Sequence, residues 1–250
     1  MKVVGIIPSR MESTRLPNKP LKDICGLPMI IHVLKRCELS KVLGEVYIAT
    51  DSIEIKNVVE NFGGNVILTK KNHQTGTDRV AEASKSVKAE IIVNIQGDEA
   101  LLNPRHIDKV TNILINNLNY DVAILVNSFK KEKSISDIKV VTNKYDEVLY
   151  FSRLDIPFRK KTDKEMLKAY HIVPFRKSFL NTFTNLPKGN LEIEESNEYL
   201  RIIENDFKIK TIKVNSLGIS VDTKEDLKFV RKAMKKDQFY GYYKSLKRLK

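Results

Sequence analysis

Through its first half the chain alternates short, almost wholly apolar runs with stretches of helical period, and no other feature restricts its fold as strongly. VVGII is followed by PMIIHVLKRCEL, EVYIAT by SIEIKNVVENF, NVILT by DRVAEASKSV and EIIVNIQG by PRHIDKVTNILINN, and DVAILVNSF closes the series. A strand apolar along its whole length must be covered on both faces, and a helix between successive strands supplies the crossover that parallel pairing needs. The expected fold class is α/β, a mixed and mainly parallel sheet with helices on both faces. Ligands of such sheets gather outside the carboxyl ends of the strands. The residues that follow each apolar run are therefore the place to look for chemistry.

From about Lys130 the rhythm changes. KVVTNKYDEVLYFSR predicts a hairpin whose arms meet near Asn143 and Lys144, and the basic stretch RKKTDKEMLK reads as a surface loop. LEIEESNEYLRIIEND reads as helical and IKTIKVN as a strand, while Thr223 with Asp226 forms a capping box that starts a last helix, TKEDLKFVRKAMKK. The expected organisation is a core of residues 1–129 and 206–236, a smaller α+β insertion at 130–205 that lids the sheet or pairs with a second copy, and a basic-aromatic tail at 237–250. A length of 250 residues with 42% hydrophobic content is enough for an ordinary core. No apolar run nears the roughly 20 residues of a membrane span, and the N-terminus has no signal-peptide layout, so the expectation is a soluble cytoplasmic protein. Cys25 and Cys37 form no CxxC pair, and the four histidines have no ligand spacing, which argues against a structural zinc or a disulfide framework.

The formal charge of +13 points toward phosphate, on nucleic acid or on small nucleotides. The densest cluster is the tail KKDQFYGYYKSLKRLK. Its interleaved aromatics and lysines suit stacking on single-stranded nucleic acid; the alternative, adopted here, packs Phe239, Tyr240 and Tyr243 on the domain and leaves the lysines solvated.

The segment IIPSRMESTRLPNKPL starts as a strand and breaks into Ser9, Arg10, Ser13, Thr14, Arg15 and Lys19, fixed between Pro8, Pro17 and Pro20. It is neither a Walker A loop nor a GxGxxG turn. A loop leaving a parallel strand nevertheless offers free backbone N–H groups, and Arg10, Arg15 and Lys19 add the full charges a triphosphate pairs with. The prolines reduce the freedom lost when a ligand orders the loop. EIIVNIQGDE puts Gln96, Gly97 and Asp98 at another strand end, and a carboxylate beside phosphate-binding cations suits Mg²⁺. Asp98 is the first candidate ligand; Asp222, before the capped helix, is the second, with extra helix capping as its alternative role. Asp51 reads as the N-cap of the helix after IATD. In HQTGTDR, Gly76 lets the main chain approach a flat base whose hydrogen-bonding edge Gln74 or backbone groups read, with Arg79 beside them; the plainer roles are a helix cap for Thr77 and surface charge for Arg79.

Together IIPSRMESTRLPNKPL, ATD, HQTGTDR, NIQGDE, YFSR and VDTKEDL closely resemble the 3-deoxy-manno-octulosonate (Kdo) cytidylyltransferases, in order and spacing, from residue 1 to about 235. The resemblance implies a Rossmann-like fold of the nucleotide-diphospho-sugar transferase type, a dimerising insertion, CTP as donor, Mg²⁺ as cofactor and a 2-keto-3-deoxy sugar acid as acceptor. It assigns Arg10, Arg15 and Lys19 to phosphates and nucleotide, with Pro8, Ser9, Gln74, Gly76, Arg79, Gln96 and Gly97 completing the nucleotide contacts. It assigns Asp98 and Asp222 to magnesium, so that Arg15, Lys19, Asp98 and Asp222 form the catalytic set. Arg153 of YFSR falls where the family approaches the sugar acid, with Gln96, His171, Glu195 and Glu198 as further candidates. The family's segment like KHLGIYAYR reads KAYHIVPFR here, so Ala169, His171 and Val173 replace its histidine, glycine and first tyrosine, and an amino-substituted or shorter acceptor is the alternative. LEIEESNEYLR keeps the spacing of Glu192, Glu195 and Glu198, whose carboxylates either meet the acceptor or favour the helix N-terminus.

Overall fold

The computed structural model describes residues 1–13, 15–158, 165–215 and 219–246. The chain divides into two compact units, Met1–Asp108 with Leu217–Lys250, and Lys109–Ser216. In the first, β1 (Val3–Pro8) leads to the short β2 (Asp23–Ile24) and β3 (Leu27–Pro28) and to α1 (Met29–Glu38). There follow β4 (Glu45–Thr50), α2 (Ile53–Glu60), β5 (Asn65–Leu68), α3 (Gly76–Ser84) and β6 (Ile91–Ile95), and α4 (Pro104–Asn116) runs across the division. The second unit holds β7 (Ala123–Phe129), β8 (Lys139–Thr142), β9 (Val148–Ser152), β10 (Met166–Tyr170), β11 (Ile172–Arg176), α5 (Lys177–Asn185), α6 (Asn190–Glu195), α7 (Leu200–Glu204) and β12 (Lys210–Lys213). The chain returns to the first unit with α8 (Lys224–Met234).

The strands of the first unit pair in parallel, in the order β6-β1-β4-β5. The near-continuous apolar runs have the expected consequence: Val3, Val4, Ile6 and Ile7 of β1 and every residue of β6 are buried. From β1 the chain winds outward to β4 and β5, then returns to place β6 on the other side of β1. The loops leaving β1 and β6 therefore diverge, which makes the mouth between them the topological switch point where such sheets open a crevice.

In the second unit β12 pairs with β7 in parallel, while β7, β10, β8 and β9 continue antiparallel. The expected hairpin is β8–β9, turned through Asn143, whose side-chain oxygen accepts the N–H groups of Tyr145 and Glu147. Two expectations differ. The stretch RKKTDKEMLK is not wholly a loop, because Met166–Lys168 begin β10, an interior strand with Leu167 opposite both Ser128 and Val140; residues 159–164 lie outside the described residues. Its dense charge hid a strand whose apolar residues, Met166, Ala169 and Tyr170, start only at its end. LEIEESNEYLRIIEND is two helices, because Ser196 turns to a left-handed backbone (φ 47) and ends α6. Arg201 spans that break with a bidentate pair to Glu192, at 2.6 and 2.7 Å and nearly out of water on both sides. Glu192 is thus a structural carboxylate. The compact second unit also includes β7 and β12, since β7 pairs with β10 on one side and β12 on the other.

The tail packs on its own unit. Tyr243 is buried, with its hydroxyl accepting from Arg36 Nε at 3.0 Å and bonded to His32 Nδ1 at 3.2 Å, while Tyr240 donates to the Cys25 carbonyl at 2.7 Å. Phe239 lies under the Arg36 guanidinium. Burial lowers the pKa of His32 to about 4 and raises that of Tyr243 to about 12.

Candidate active site

A cleft of about 770 Å³ opens at the switch point of the first unit. The loop after β1 supplies Pro8, Ser9, Arg10, Arg15 and Lys19; the turn before α3 supplies Gln74 and Gly76, with Arg79 one turn further on. The end of β6 supplies Gln96, Gly97 and Asp98, and the segment before α8 supplies Asp222. Every residue expected to contact nucleotide or metal therefore lines one cavity. The structure brings the distant aspartates to a single nitrogen: Lys19 Nζ donates to Asp98 Oδ2 at 2.7 Å and to Asp222 Oδ1 at 3.1 Å. Arg15 adds a contact to Asp222 at 3.1 Å.

Local sequence explains this convergence. Leu16, between the two cations, is buried in a cluster with Ile24, Met29, Ala100, Val221, Leu227, Val230 and Met234, so the loop is pinned from below. Asn18 takes the left-handed backbone (φ 55) that asparagine tolerates, starting one 3-10 turn over Lys19–Leu21. Val221 N–H donates to the Asp98 carbonyl at 3.1 Å, and this one backbone bond sets Asp222 beside Asp98. Thr223 and Asp226 cap α8 reciprocally, which leaves the Asp222 carboxylate to the lysine and arginine. Gly97 is needed for close approach, since a Cβ there would lie 3.0 Å from the Pro8 carbonyl oxygen.

Burial alone would lower the pKa of Lys19, but the charges and hydrogen bonds of Asp98 and Asp222 outweigh it and hold the ammonium above the ordinary lysine value. Arg79 is 5% exposed rather than on the surface; it pairs with Asp51 at 2.8 Å and donates to Thr69 at 2.6 Å. Asp51 is accordingly not the N-cap of α2. Ser52 is, accepting from Ile55 N–H at 3.2 Å. Thr77 is not a cap either: Thr75 and Asp78 form the capping box of α3, and Thr77 accepts from Asn94 inside the core. The Ser9 hydroxyl is buried and has no hydrogen-bond partner among the described residues, which leaves it for whatever fills the cleft. His73 and Thr75 also line the cleft and were missed; their signals were the first position of HQTGTDR and the T-x-x-D capping pattern.

The remaining candidates belong to the second unit. Glu195 accepts the Ser152 hydroxyl at 2.7 Å and the Arg153 backbone N–H at 2.8 Å, while the Arg153 guanidinium donates to the carbonyls of Glu195, Ile135 and Ser196. His171 stacks on Tyr199, with ring centroids 6.0 Å apart, and Glu198 follows the same bend two residues past Ser196.

Comparison with known proteins agrees with this geometry. The cytidylyltransferase family model matches residues 4–212. The 3-deoxy-manno-octulosonate cytidylyltransferase of Chloroherpeton thalassium is 38% identical and is aligned over 94% of this chain and 99% of its own. The chain belongs to the 3-deoxy-manno-octulosonate cytidylyltransferase family. The 8-amino-3,8-dideoxy-manno-octulosonate cytidylyltransferase of Shewanella pealeana is 39% identical over 91% of this chain and 96% of its own. The solved structure of CMP:2-keto-3-deoxy-manno-octonic acid synthetase complexed with CTP superposes with a TM-score of 0.90, at 36% identity, covering 94% of this chain and 99% of that one. The chain is thus a nucleotidyltransferase of α/β fold, and no helix among its described residues is long and apolar enough to cross a membrane.

Cytidylyltransferases of this family typically use a divalent metal. The donor set fits one: two aspartate oxygens already share a cation, and a hard divalent ion takes one or two carboxylates and completes its shell from phosphate and water. Among the described residues no three His, Cys, Asp or Glu side chains form a metal cage.

Proposed function

We propose that the chain transfers CMP from CTP to a 2-keto-3-deoxy sugar acid, Kdo or a close relative, with Mg²⁺ as the metal and release of pyrophosphate. The observation that carries this reading is the contact of one lysine with both Asp98 and Asp222 in a cation-lined cleft at the switch point. In the reaction the anomeric hydroxyl of the acceptor forms a bond to the α-phosphorus, the bond from that phosphorus to the pyrophosphate oxygen breaks, and the hydroxyl proton leaves to water. Such transfers depend on alignment and charge neutralisation more than on covalent chemistry by the protein. Arg10, Arg15 and Lys19 hold the triphosphate and neutralise the leaving pyrophosphate. Gln74, Gly76, Gln96 and Gly97 meet the base and ribose, with Pro8 and Ser9 beneath them, and Arg79 is braced by Asp51 behind. Asp98 and Asp222 would hold the magnesium, which would lower the pKa of the acceptor hydroxyl and offset phosphate charge.

The second unit is assigned to the acceptor and to homodimer formation, in a cytoplasmic enzyme. Among the described residues three of the five N–H donors of Arg153 serve backbone carbonyls, and the others are assigned to the acceptor carboxylate; His171, Glu195 and Glu198 are assigned to its hydroxyl groups. A second reading, an amino-substituted acid, is favoured by the altered KAYHIVPFR segment, and the 8-amino enzyme matches this chain as well as the Kdo enzymes do, at 39% against 38% identity. The test is pyrophosphate release from each of the four nucleoside triphosphates with Mg²⁺ and a panel of 2-keto sugar acids that includes 8-amino and shorter members. Release is expected with CTP and one of these acids. No release with any acid would refute the assignment.

A further inference from the structure

We infer that Lys19 is a built-in counter-ion: it holds the cation position between Asp98 and Asp222 until a metal displaces it, and it yields that position far more readily when a triphosphate is there to receive the ammonium. This rests on the metal reading of the two aspartates proposed above. Lys19 Nζ engages Asp98 Oδ2 and Asp222 Oδ1 together, and with Arg15 also on Asp222 two positive charges face two negative ones. The lysine side chain is only 16% exposed. Its backbone is held by the turn over Lys19–Leu21 and by buried Leu16 and Pro20, so the ammonium is tethered at its partners.

A divalent ion bound to both aspartates needs the face of the carboxylates that Lys19 now covers, and two cations cannot share those oxygens at contact distance. Metal alone must therefore displace a tethered competitor whose effective concentration is high, and strands it as an unpaired buried charge. A triphosphate removes the second cost, because the four-carbon stem of lysine can carry the ammonium to phosphate oxygens. Metal and nucleotide then bind with positive coupling, which must be reciprocal.

The experiment measures Mn²⁺ binding by electron paramagnetic resonance, with and without a non-hydrolysable CTP analogue, in the wild-type protein and in Lys19→Gln, Lys19→Met and Asp98→Asn. Wild type is expected to bind Mn²⁺ alone weakly and to gain about tenfold or more with the analogue. Both lysine variants are expected to bind Mn²⁺ alone about tenfold more tightly than wild type and to lose most of that gain. Lysine variants that bind Mn²⁺ no better than wild type overturn the inference; an Asp98→Asn protein with undiminished Mn²⁺ affinity removes instead the metal reading beneath it. A readout without variants is acetylation of the Lys19 ε-amine in wild type, followed by mass spectrometry. Saturating Mn²⁺ without nucleotide should raise its rate several-fold by freeing the amine, and an unchanged rate overturns the proposal.

Discussion

The side chain of Arg36 is completely out of water, and its partner Asp237 lies 201 residues away on the tail. Asp237→Asn removes the compensating charge while leaving an amide oxygen to accept the Phe239 and Tyr240 N–H groups, both at 2.9 Å. The guanidinium keeps the Leu102 carbonyl, the Tyr243 hydroxyl and the face of Phe239. Breaking a buried pair from one side costs about 3–5 kcal/mol. Because Asp237 is 20% exposed and Arg36 retains neutral acceptors, the lower end applies, about 3 kcal/mol. For a chain of this size that is a fall of roughly 6–12 °C in Tm. The double variant Arg36→Met with Asp237→Asn should be no less stable than Asp237→Asn alone, because removing both partners leaves no uncompensated charge. The assay is thermal and urea denaturation of the four proteins as a double-mutant cycle. A shift under about 2 °C for Asp237→Asn, or strictly additive losses, would refute the reasoning.

Asp98→Asn should lower turnover about 10³-fold or more while the chain stays folded, since Lys19 keeps Asp222; near-normal pyrophosphate release from the folded variant would remove Asp98 from the mechanism. Gly97→Ala puts a methyl 3.0 Å from the Pro8 carbonyl at the joint of the two loops, so kcat/KM should fall about tenfold or more with a small loss of stability; unchanged kinetics would show that the strand mouths need not be so close. Glu192→Gln strands the Arg201 charge in the second unit and should cost about 3 kcal/mol in stability; a loss of activity without loss of Tm would instead make Glu192 a site residue. His32, with a pKa lowered to about 4 by burial, stays neutral in the folded chain where the unfolded chain already binds a proton. Stability should therefore fall as pH drops from about 6.5 toward 4, by up to roughly 3 kcal/mol, and His32→Gln should flatten that slope in urea titrations at pH 7.5 and 5.

The alternating pattern was enough to read the parallel strands and crossover helices of the first unit, because strands buried on both faces cannot hide their apolar continuity. The loop after β1 and Asp98 were equally plain, since both follow directly on strands that end in the crevice. What the sequence hid were pairings across long separations or across a turn. Asp51 looked like a cap because it precedes a helix, and only the fold brings Arg79 to it. Glu192 read as an acceptor contact or a helix N-terminal charge, and only the bend at Ser196 brings Arg201 to it and buries both. The strand at Met166–Tyr170 was masked by the basic stretch that runs into it, and gained its place from β7 and β8 on either side.

The same cluster that holds the loop also explains how residues 124 positions apart stay in register at the cleft. Leu16 lies next to Arg15, Ala100 two residues past Asp98 and Val221 one before Asp222, and all three side chains meet Leu227, Val230 and Met234 of α8 in one apolar group. Each charged side chain thus lies within two residues of an apolar one buried in this group, so burying the apolar residue positions the charge. The backbone bond from Val221 to the Asp98 carbonyl then fixes the spacing that packing alone would leave loose. Tyr240 packs against this group and Arg36 bonds the Met234 sulfur, so the tail, read in the sequence as packing its aromatics on the domain, adds to the cluster that sets the cleft. The chemistry of the site is carried by cations and aspartates; their placement is carried by apolar residues adjacent to them in the chain.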